Sequence, residues 1–243
     1  MPTKFMQTIC INNGDKKMNH KILHKLENMI HVSPQLIRNP ETMRQAIRGT
    51  FAVDVEDVEF NTIGELVDRI DDKVLDGYFR HVWQSETSKY KYSGPALIGE
   101  INQLKPRRVL DIGCGYHEFR GKIDNIIGID PFNAAADICV KTLDYHPEER
   151  FDAVLALGSI NFGSTSKIFA ELEHAVSLCN PGAVLFFRAN PGLPHPKDES
   201  NWIHFYPWDA NFVVNCADQL NVDILDLRTD SHKNRLYFVW RTK

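Results

Sequence analysis

Apolar residues follow two different spacings along the chain, and the change divides it into two regions. In the first region Ile22, Leu26 and Ile30 recur every four positions, which is close to the period of an amphipathic helix. In the second region short apolar runs such as Phe151 to Leu157 alternate with helical stretches, as in a parallel α/β sheet. The pattern predicts a helical N-terminal cap, 1–92, and an α/β domain, 93–243.

Polar residues and prolines mark the ends of the predicted helices. Ser33-Pro34 and Asn39-Pro40 interrupt the first helical stretch. Thr62 with Glu65 three positions later forms a capping box before the next one. The polar segment 85–93 is the expected linker between the two regions.

A glycine-rich turn follows the first apolar strand of the α/β region. Asp111 ends that strand, Gly113 and Gly115 form the turn, and Asp130 ends the next strand. Dinucleotide sites have a third glycine that lets a helix hold the pyrophosphate, but Glu118 stands at that position here. Two carboxylates beside the turn therefore count against a pyrophosphate ligand.

The same carboxylates suit a ligand with a ribose and a cationic tail. Asp111 is placed to pair with an ammonium group, and Asp130 to accept hydrogen bonds from ribose hydroxyls. On these residues the sequence resembles the class I S-adenosylmethionine-dependent methyltransferases, over residues 93 to 243. The resemblance implies a doubly wound, mostly parallel, seven-stranded Rossmann-like sheet with an antiparallel last strand.

The resemblance also implies a set of cofactor-binding residues. The glycine turn would hold the methionine part, the acid after the second strand the ribose, and Asp144, matched to the acid after the third strand, the adenine amino group. The next strand, Phe151 to Leu157, would face the cofactor at its end, and Tyr92 would close over the methionine end. The full set is Tyr92, Asp111, Gly113, Cys114, Gly115, Tyr116, Asp130, Pro131, Phe132, Asp144, Tyr145, Leu157 and Gly158.

One feature departs from the family pattern. The family has a helix of several turns between the first two strands, whereas only His117 to Asp124 is available here, with Gly121 in the middle. We expect a short or irregular helix at most.

The loop after the fifth strand of the expected sheet carries the candidate catalytic residues. His195 and His204 lie in it and are the candidate bases, should the acceptor need to lose a proton. Trp202, Phe205, Tyr206 and Trp208 would wall an acceptor pocket, unless they pack the loop onto the domain. Cys114 is interpreted as a small residue filling the turn rather than as a nucleophile.

Composition narrows the kinds of ligand, metal site and cellular location to be expected. A net charge of −4 argues against a broadly basic nucleic-acid-binding surface. Five cysteines without paired short spacing predict reduced thiols and no metal site. The chain has no apolar run of roughly 20 residues and no secretory leader, so a cytoplasmic protein without a membrane segment is expected.

These observations predict an S-adenosylmethionine-dependent methyltransferase, EC 2.1.1.-, with a small-molecule acceptor. A non-catalytic module that binds the cofactor or docks a partner on the same scaffold is an alternative. Methylation of nucleic acid or protein is another. The sequence does not identify the acceptor or the oligomeric state.

Overall fold

The computed structural model of the chain describes residues 18–82, 94–191, 202–229 and 235–243. These residues form two compact units. The helical unit comprises residues 18–82 with two later segments, 163–166 and 202–204. The sheet unit comprises the remaining described residues, from 94 onward. The boundary between residues 92 and 93, which was predicted from the sequence, stays a prediction. Residues 83–93 are not described, and the helical unit also includes segments that come later in the chain.

In the part of the helical unit that the structure describes, there are three α-helices and one short 3₁₀ helix. They are α1 His20–Val32, a 3₁₀ helix Pro34–Arg38, α2 Pro40–Phe51 and α3 Ile63–His81. Their inward-facing residues recur at helical spacing, and the cluster they form includes Ile22, Leu26, Met43, Ile47 and Leu66. This burial of apolar side chains is the main stabilising contribution to the unit.

Each of the three α-helices of this unit begins at a side chain that caps its free backbone N–H groups. Asn19 accepts a hydrogen bond from the Ile22 N–H, and Asn39 accepts one from the Thr42 N–H. Thr62 caps α3 through the Glu65 N–H, while the Glu65 carboxylate accepts from the Asn61 N–H. The capping position is as predicted, although the returning bond of the capping box ends one residue earlier.

Within the described residues, the sheet unit contains six strands, three α-helices and a short 3₁₀ helix, Thr142–Asp144. The strands are β1 Val109–Ile112, β2 Ile126–Ile129, β3 Phe151–Leu157, β4 Cys179–Ala189, β5 Val222–Thr229 and β6 Leu236–Thr242. The helices are α4 Pro95–Gln103, α5 Thr165–Ser177 and α6 Ala210–Gln219. The strand order is β2-β1-β3-β4-β6-β5, in which β1 to β4 are mutually parallel and β6 is antiparallel to both β4 and β5.

Alternate residues of the strands face two separate cores. On one face, residues such as Leu110, Val154 and Phe187 pack in the same cluster as the buried residues of α5 and α6. On the other face, Val109, Leu155 and Phe186 pack with α4. A parallel sheet covered on both sides explains the nearly continuous apolar runs in the sequence.

The connection between β1 and β2 contains turns and no helix. Phe119 and Ile123 are buried there and belong to the α4 side of the sheet core. In the family pattern a longer helix would cover this part of the sheet. Here the side chains of Phe119 and Ile123 pack there instead. This confirms the prediction of a short, irregular connection.

The expectation of seven strands was wrong by one strand. Ile138 forms a single parallel bridge with Ile129 at the edge of the sheet, and residues 142–144 form a 3₁₀ helix where the third strand was expected. The segment between Asp130 and Ile138 has only seven residues and is occupied by turns, so it brings a single position into register with β2. Among the described helices, none has the length and apolar character needed to cross a membrane.

Candidate functional site

The glycine turn lies at the carboxyl end of β1, the sheet edge at which open α/β folds bind ligands. Gly113 and Gly115 both have positive φ, +65° and +55°. The N–H groups of Gly113 and Cys114 donate to the Ile129 carbonyl over 2.8 and 3.1 Å, which joins the turn to the end of β2. A Cβ on Gly113 would lie 2.3 Å from the Ser159 Cβ, so glycine is required here on steric grounds as well.

Asp130 holds the turn after β2 and the glycine turn together. Its Oδ1 accepts hydrogen bonds from the Phe132 and Asn133 N–H groups at 2.8 and 2.9 Å. Its Oδ2 accepts from the Gly115 N–H at 3.0 Å. A carboxylate has about four lone-pair positions, so about one is left for a ligand. The sequence predicted a ligand-binding role for this acid and missed its role in organising the backbone.

Asp111 is a buried carboxyl group beside the turn, with 4% of its surface exposed. Burial, and then the nearby charge of Asp130, raise the pKa of Asp111 to about 8. No hydrogen bond from the described part of the chain offsets this burial. A positively charged group placed beside Asp111 would therefore be strongly favoured, since it would compensate a desolvated negative charge.

Cys114 and His117 pack over the middle of β2. A Cβ on Gly128 would lie 2.8 Å from the Cys114 Sγ and 2.9 Å from two ring atoms of His117. The pKa of the Cys114 thiol is raised far above its ordinary value by burial and by Asp111, Asp130 and Asp137, so the thiol stays protonated. This supports a space-filling role for Cys114, since the thiolate is the nucleophilic form.

His117 was not a candidate from the sequence. Its ring is buried, and its Nδ1 lies 3.4 Å from the Asp137 Oδ2. Burial lowers the pKa of His117, with Arg120 acting in the same direction and Asp137 opposing. The signal in the sequence was Gly128, because a glycine inside a short strand marks a close approach by another group.

Tyr116, which was a predicted cofactor residue, is exposed at the surface of the same turn.

Asp144, which was predicted to bind the adenine amino group, is the last residue of the 3₁₀ helix that replaces the third strand, and Tyr145, a predicted cofactor residue, follows it. Asp144 is exposed there, while Tyr145 is buried in the sheet core. Pro131 and Phe132 follow Asp130 and are half-buried. Tyr92 lies outside the described residues.

The carboxyl end of β3 lies next to the glycine turn. Leu157 and Gly158 are half-buried, and Gly158 has a φ of +110°. The Oγ of Ser159 is buried against the turn and has no hydrogen-bond partner within the described ranges. A buried hydroxyl of this kind is a ready donor or acceptor for a bound molecule.

Asn161, which sequence reasoning did not single out, ties together three segments at this edge. Its Nδ2 donates to the Gly158 carbonyl at 2.8 Å, and its Oδ1 accepts from the Asn190 N–H at 2.8 Å. Its backbone carbonyl accepts from the Tyr206 N–H at 2.7 Å. Its only signal in the sequence was an amide residue within a largely apolar stretch.

The segment after β4 divides between the two units. Tyr206 and Trp208 are buried in the sheet core, so these two rings pack the fold and do not wall a pocket. Trp202 packs in the helical unit against Phe51, with ring centroids 4.7 Å apart. Phe205 lies beside Phe162 with a centroid separation of 5.1 Å.

Of the two candidate bases, only His204 lies within the described residues. It is half-buried in the helical unit. Its pKa is lowered by burial, then by His20 and Lys21 of α1, so the ring is neutral at neutral pH and able to accept a proton. His195 lies outside the described ranges. Across those ranges, no group of three or more His, Cys, Asp or Glu side chains is arranged to hold a metal ion.

The parallel sheet with one antiparallel strand, the glycine turn after β1 and the acid after β2 define the fold of class I S-adenosylmethionine-dependent methyltransferases. One similar solved structure is the 1,6-didemethyltoxoflavin-N1-methyltransferase of Burkholderia thailandensis, with 1,6-didemethyltoxoflavin and S-adenosylhomocysteine bound. Its TM-score is 0.56 at 13% identity, covering 79% of this chain and 95% of that one.

Two further structures share this fold. Magnesium protoporphyrin IX methyltransferase from Synechocystis PCC 6803, with S-adenosylmethionine bound, has a TM-score of 0.54 at 11% identity, covering 77% of this chain and all of that one. An S-adenosylmethionine-dependent methyltransferase from Clostridium acetobutylicum has a TM-score of 0.50 at 11% identity, covering 70% and 98%. No protein-family model and no curated protein matches the sequence.

Proposed function

We propose that the protein is an S-adenosylmethionine-dependent methyltransferase, EC 2.1.1.-, with a small-molecule acceptor. The observation that carries the proposal is the pair of acids at the glycine turn. Asp111 is a buried carboxyl group to which the described residues donate no compensating hydrogen bond, and Asp130 organises the turn beside it. Both lie at the carboxyl edge of a sheet with the methyltransferase fold, where related folds bind their ligands.

Each part of the cofactor has a matching group in this chain. Asp111 provides a carboxylate for the ammonium group of the methionine tail, which would draw its pKa down from about 8. Asp130 has about one lone-pair position left for a ribose hydroxyl, and the exposed Asp144 is the candidate for the adenine amino group. The Oγ of Ser159 offers one further hydrogen bond at the turn.

The chemistry requires little of the protein beyond orientation. S-adenosylmethionine, when bound, supplies a methyl group on a sulfonium, which already has a good leaving group. The chain must then hold the acceptor in line with that methyl group and exclude water. If the acceptor is a hydroxyl or amine, His204 is a candidate base, since it is neutral at neutral pH.

A small-molecule acceptor is favoured by charge and by the fold comparisons. The net charge of −4 does not favour a polyanionic acceptor. Two of the structures with this fold are named for small molecules, 1,6-didemethyltoxoflavin and magnesium protoporphyrin IX.

Isothermal titration calorimetry with S-adenosylmethionine and, separately, NAD tests the proposal. We expect binding of S-adenosylmethionine and at least tenfold weaker binding of NAD, about 1.4 kcal/mol, because NAD brings a pyrophosphate beside two acids. Absence of S-adenosylmethionine binding, or tighter binding of NAD, would refute the proposal. Binding without methyl transfer to any acceptor in a broad screen would instead favour the non-catalytic module.

A further inference from the structure

Ser159 lies at the topological switch point of the sheet. From β1 the chain passes to β2 on one side, and β3 is added on the other side, which gives the strand order β2-β1-β3. Open α/β folds bind ligands outside the carboxyl ends of the two strands at such a point. Here these strands are β1 and β3, which are followed by Gly113 and by Ser159 after Gly158. All of these residues belong to the sheet unit.

Ser159 is in close contact with the glycine turn. A Cβ on Gly113 would lie 2.3 Å from the Ser159 Cβ and 3.2 Å from its Oγ. The glycine turn is the part of the site that is assigned to the methionine tail of the cofactor. Asp130, the acid proposed for the ribose, follows β2 on the other side of β1. Ser159 is therefore placed beside the tail and away from the proposed ribose position.

The backbone around Ser159 is fixed by Asn161. The Asn161 N–H donates to the Ser159 carbonyl at 3.1 Å, and the Asn161 Nδ2 donates to the Gly158 carbonyl at 2.8 Å. Asn161 is itself buried, with an exposed fraction of 1%. The main chain at the end of β3 therefore has a defined conformation in the free protein.

The hydroxyl of Ser159 is the part of this residue that has hydrogen-bonding capacity to spare. Its Oγ is buried, and no group in the described ranges forms a hydrogen bond with it. Burying a hydroxyl without a hydrogen bond is unfavourable, so most buried polar groups have a partner. The residue as a whole is half-buried, and rotation about its Cα–Cβ bond turns the hydroxyl toward a ligand at the sheet edge.

The acids of the site indicate which part of the cofactor needs this hydroxyl. The methionine tail has an ammonium group and a carboxylate. Asp111 and Asp130 attract the ammonium group and repel the carboxylate. A carboxylate accepts hydrogen bonds and donates none, so it requires a donor close to the turn. Ser159 supplies such a donor on the β3 side of the turn.

We propose that Ser159 binds the α-carboxylate of the methionine tail of S-adenosylmethionine. With Asp111 for the ammonium group, Ser159 completes a site for both charges of an amino acid. The hydroxyl donates a hydrogen bond to the carboxylate and so gains the partner that the described residues do not provide. The site then recognises the tail as well as the adenosine. The inference rests on the proposed methyltransferase function.

Three ligands separate the parts of this site in isothermal titration calorimetry. They are S-adenosylmethionine, decarboxylated S-adenosylmethionine, which keeps the ammonium group and the sulfonium, and 5′-methylthioadenosine, which lacks the amino-acid tail. In Ser159→Ala the Kd of S-adenosylmethionine should rise at least about tenfold, because a hydrogen bond to a charged group is lost. The Kd values of the other two ligands should stay within about twofold of wild type.

Three further variants provide the comparisons. Ser177→Ala removes an exposed hydroxyl at the end of α5 in the same unit and should leave all three Kd values unchanged. Asp111→Asn should weaken the binding of both ligands that have an ammonium group and leave methylthioadenosine within about twofold. Ser159→Cys keeps a side chain of similar shape with a weaker donor, so it should lose less S-adenosylmethionine affinity than Ser159→Ala.

The outcomes separate the inference from the proposed function. Equal losses for S-adenosylmethionine and its decarboxylated form in Ser159→Ala would show a general effect on the site and overturn the role of Ser159. An unchanged S-adenosylmethionine Kd in this variant would overturn it too, while the proposed function would stand. If the wild type binds none of the three ligands, the proposed function fails and the role of Ser159 fails with it.

Discussion

Two acidic side chains at the glycine turn, Asp111 and Asp130, show how folding stability and the proposed ligand binding place different demands on one residue. Asp111 is buried, and no cationic side chain among residues 18–82, 94–191, 202–229 and 235–243 offsets its charge, which destabilises its ionised form. Asp130 gives most of its hydrogen-bonding capacity to backbone N–H groups. A site that keeps an unfavourable charge in the free protein gains more from a cationic ligand, because the ligand removes the penalty.

Replacing Asp111 by Asn should stabilise the free protein and weaken cofactor binding. The folded-state pKa of about 8 lies above the ordinary value of 3.8. The folded protein therefore keeps a proton that the unfolded chain releases, and the free energy of unfolding falls as the pH rises between these two values. The amide in Asp111→Asn does not titrate, so the advantage of this variant over wild type should grow by at least about 1 kcal/mol between pH 5.5 and 8.5.

Urea denaturation at the two pH values measures this difference, and calorimetry should show S-adenosylmethionine binding weakened by about 1.5 to 3 kcal/mol. Asp124→Asn, which changes an exposed carboxyl in the same connection, is the control and should alter neither quantity. An advantage of the Asp111 variant that does not depend on pH would contradict the raised pKa.

Gly113→Ala should destabilise the protein more than Gly121→Ala does. Both glycines have positive φ, but a Cβ meets Ser159 at Gly113 and open space at Gly121. The Gly121 variant should lose about 1 kcal/mol from backbone strain, and the Gly113 variant about 1 to 3 kcal/mol more from the clash. Equal losses in chemical denaturation would show that Ser159 moves away without cost.

At the level of elements, the connection between β1 and β2 is the feature that departs most from the family pattern. It covers the sheet with turns that place Phe119 and Ile123 in the core. The α-helices elsewhere bury an apolar stripe, and several also have a side-chain cap, as does α6, whose cap Asp209 accepts from the Phe212 N–H at 2.7 Å. A connection without a helix depends on its few buried side chains instead.

Phe119→Ala should therefore lower the free energy of unfolding by about 3 to 5 kcal/mol, because it leaves a cavity that two short turns are unable to fill. Because the glycine turn leads directly into this connection, S-adenosylmethionine binding should weaken as well. Lys122→Ala, at an exposed position, is the control. A loss below about 1 kcal/mol in urea denaturation would mean that the connection contributes little to the core.

On the scale of the whole molecule, the chain folds as two compact units with separate hydrophobic cores. The sheet unit contains the proposed cofactor residues within the described ranges, and the helical unit contains His204, the candidate base that those ranges include.

Differential scanning calorimetry should separate the two cores. We expect two unfolding transitions, because each unit has its own core. S-adenosylmethionine at one hundred times its Kd should stabilise the sheet unit by about 2.7 kcal/mol and leave the transition of the helical unit in place. S-adenosylhomocysteine is a control that lacks the transferable methyl group. A single transition that shifts as a whole would contradict independent unfolding.

The sequence alone determined those features that depend on local spacing. Helical periodicity placed α1, α2 and α3, and the order of apolar runs predicted the doubly wound sheet. The family resemblance of the strand-end acids and the glycine turn implied its antiparallel last strand. It also located Asp111, Gly113 and Asp130 at one edge, since strand ends of a parallel sheet lie side by side. These signals are readable because each arises from residues close together in the chain.

Only the tertiary structure decided features that depend on distant residues. The third strand was reduced to a bridge at Ile138 because turns occupy the short segment before it. Tyr206 and Trp208 were drawn into the core, and Trp202 into the helices, because separate apolar surfaces were available to bury them. The raised pKa of Asp111 and the hydrogen bonds of Asn19 and Asn161 likewise depend on burial and on partners brought together only by folding.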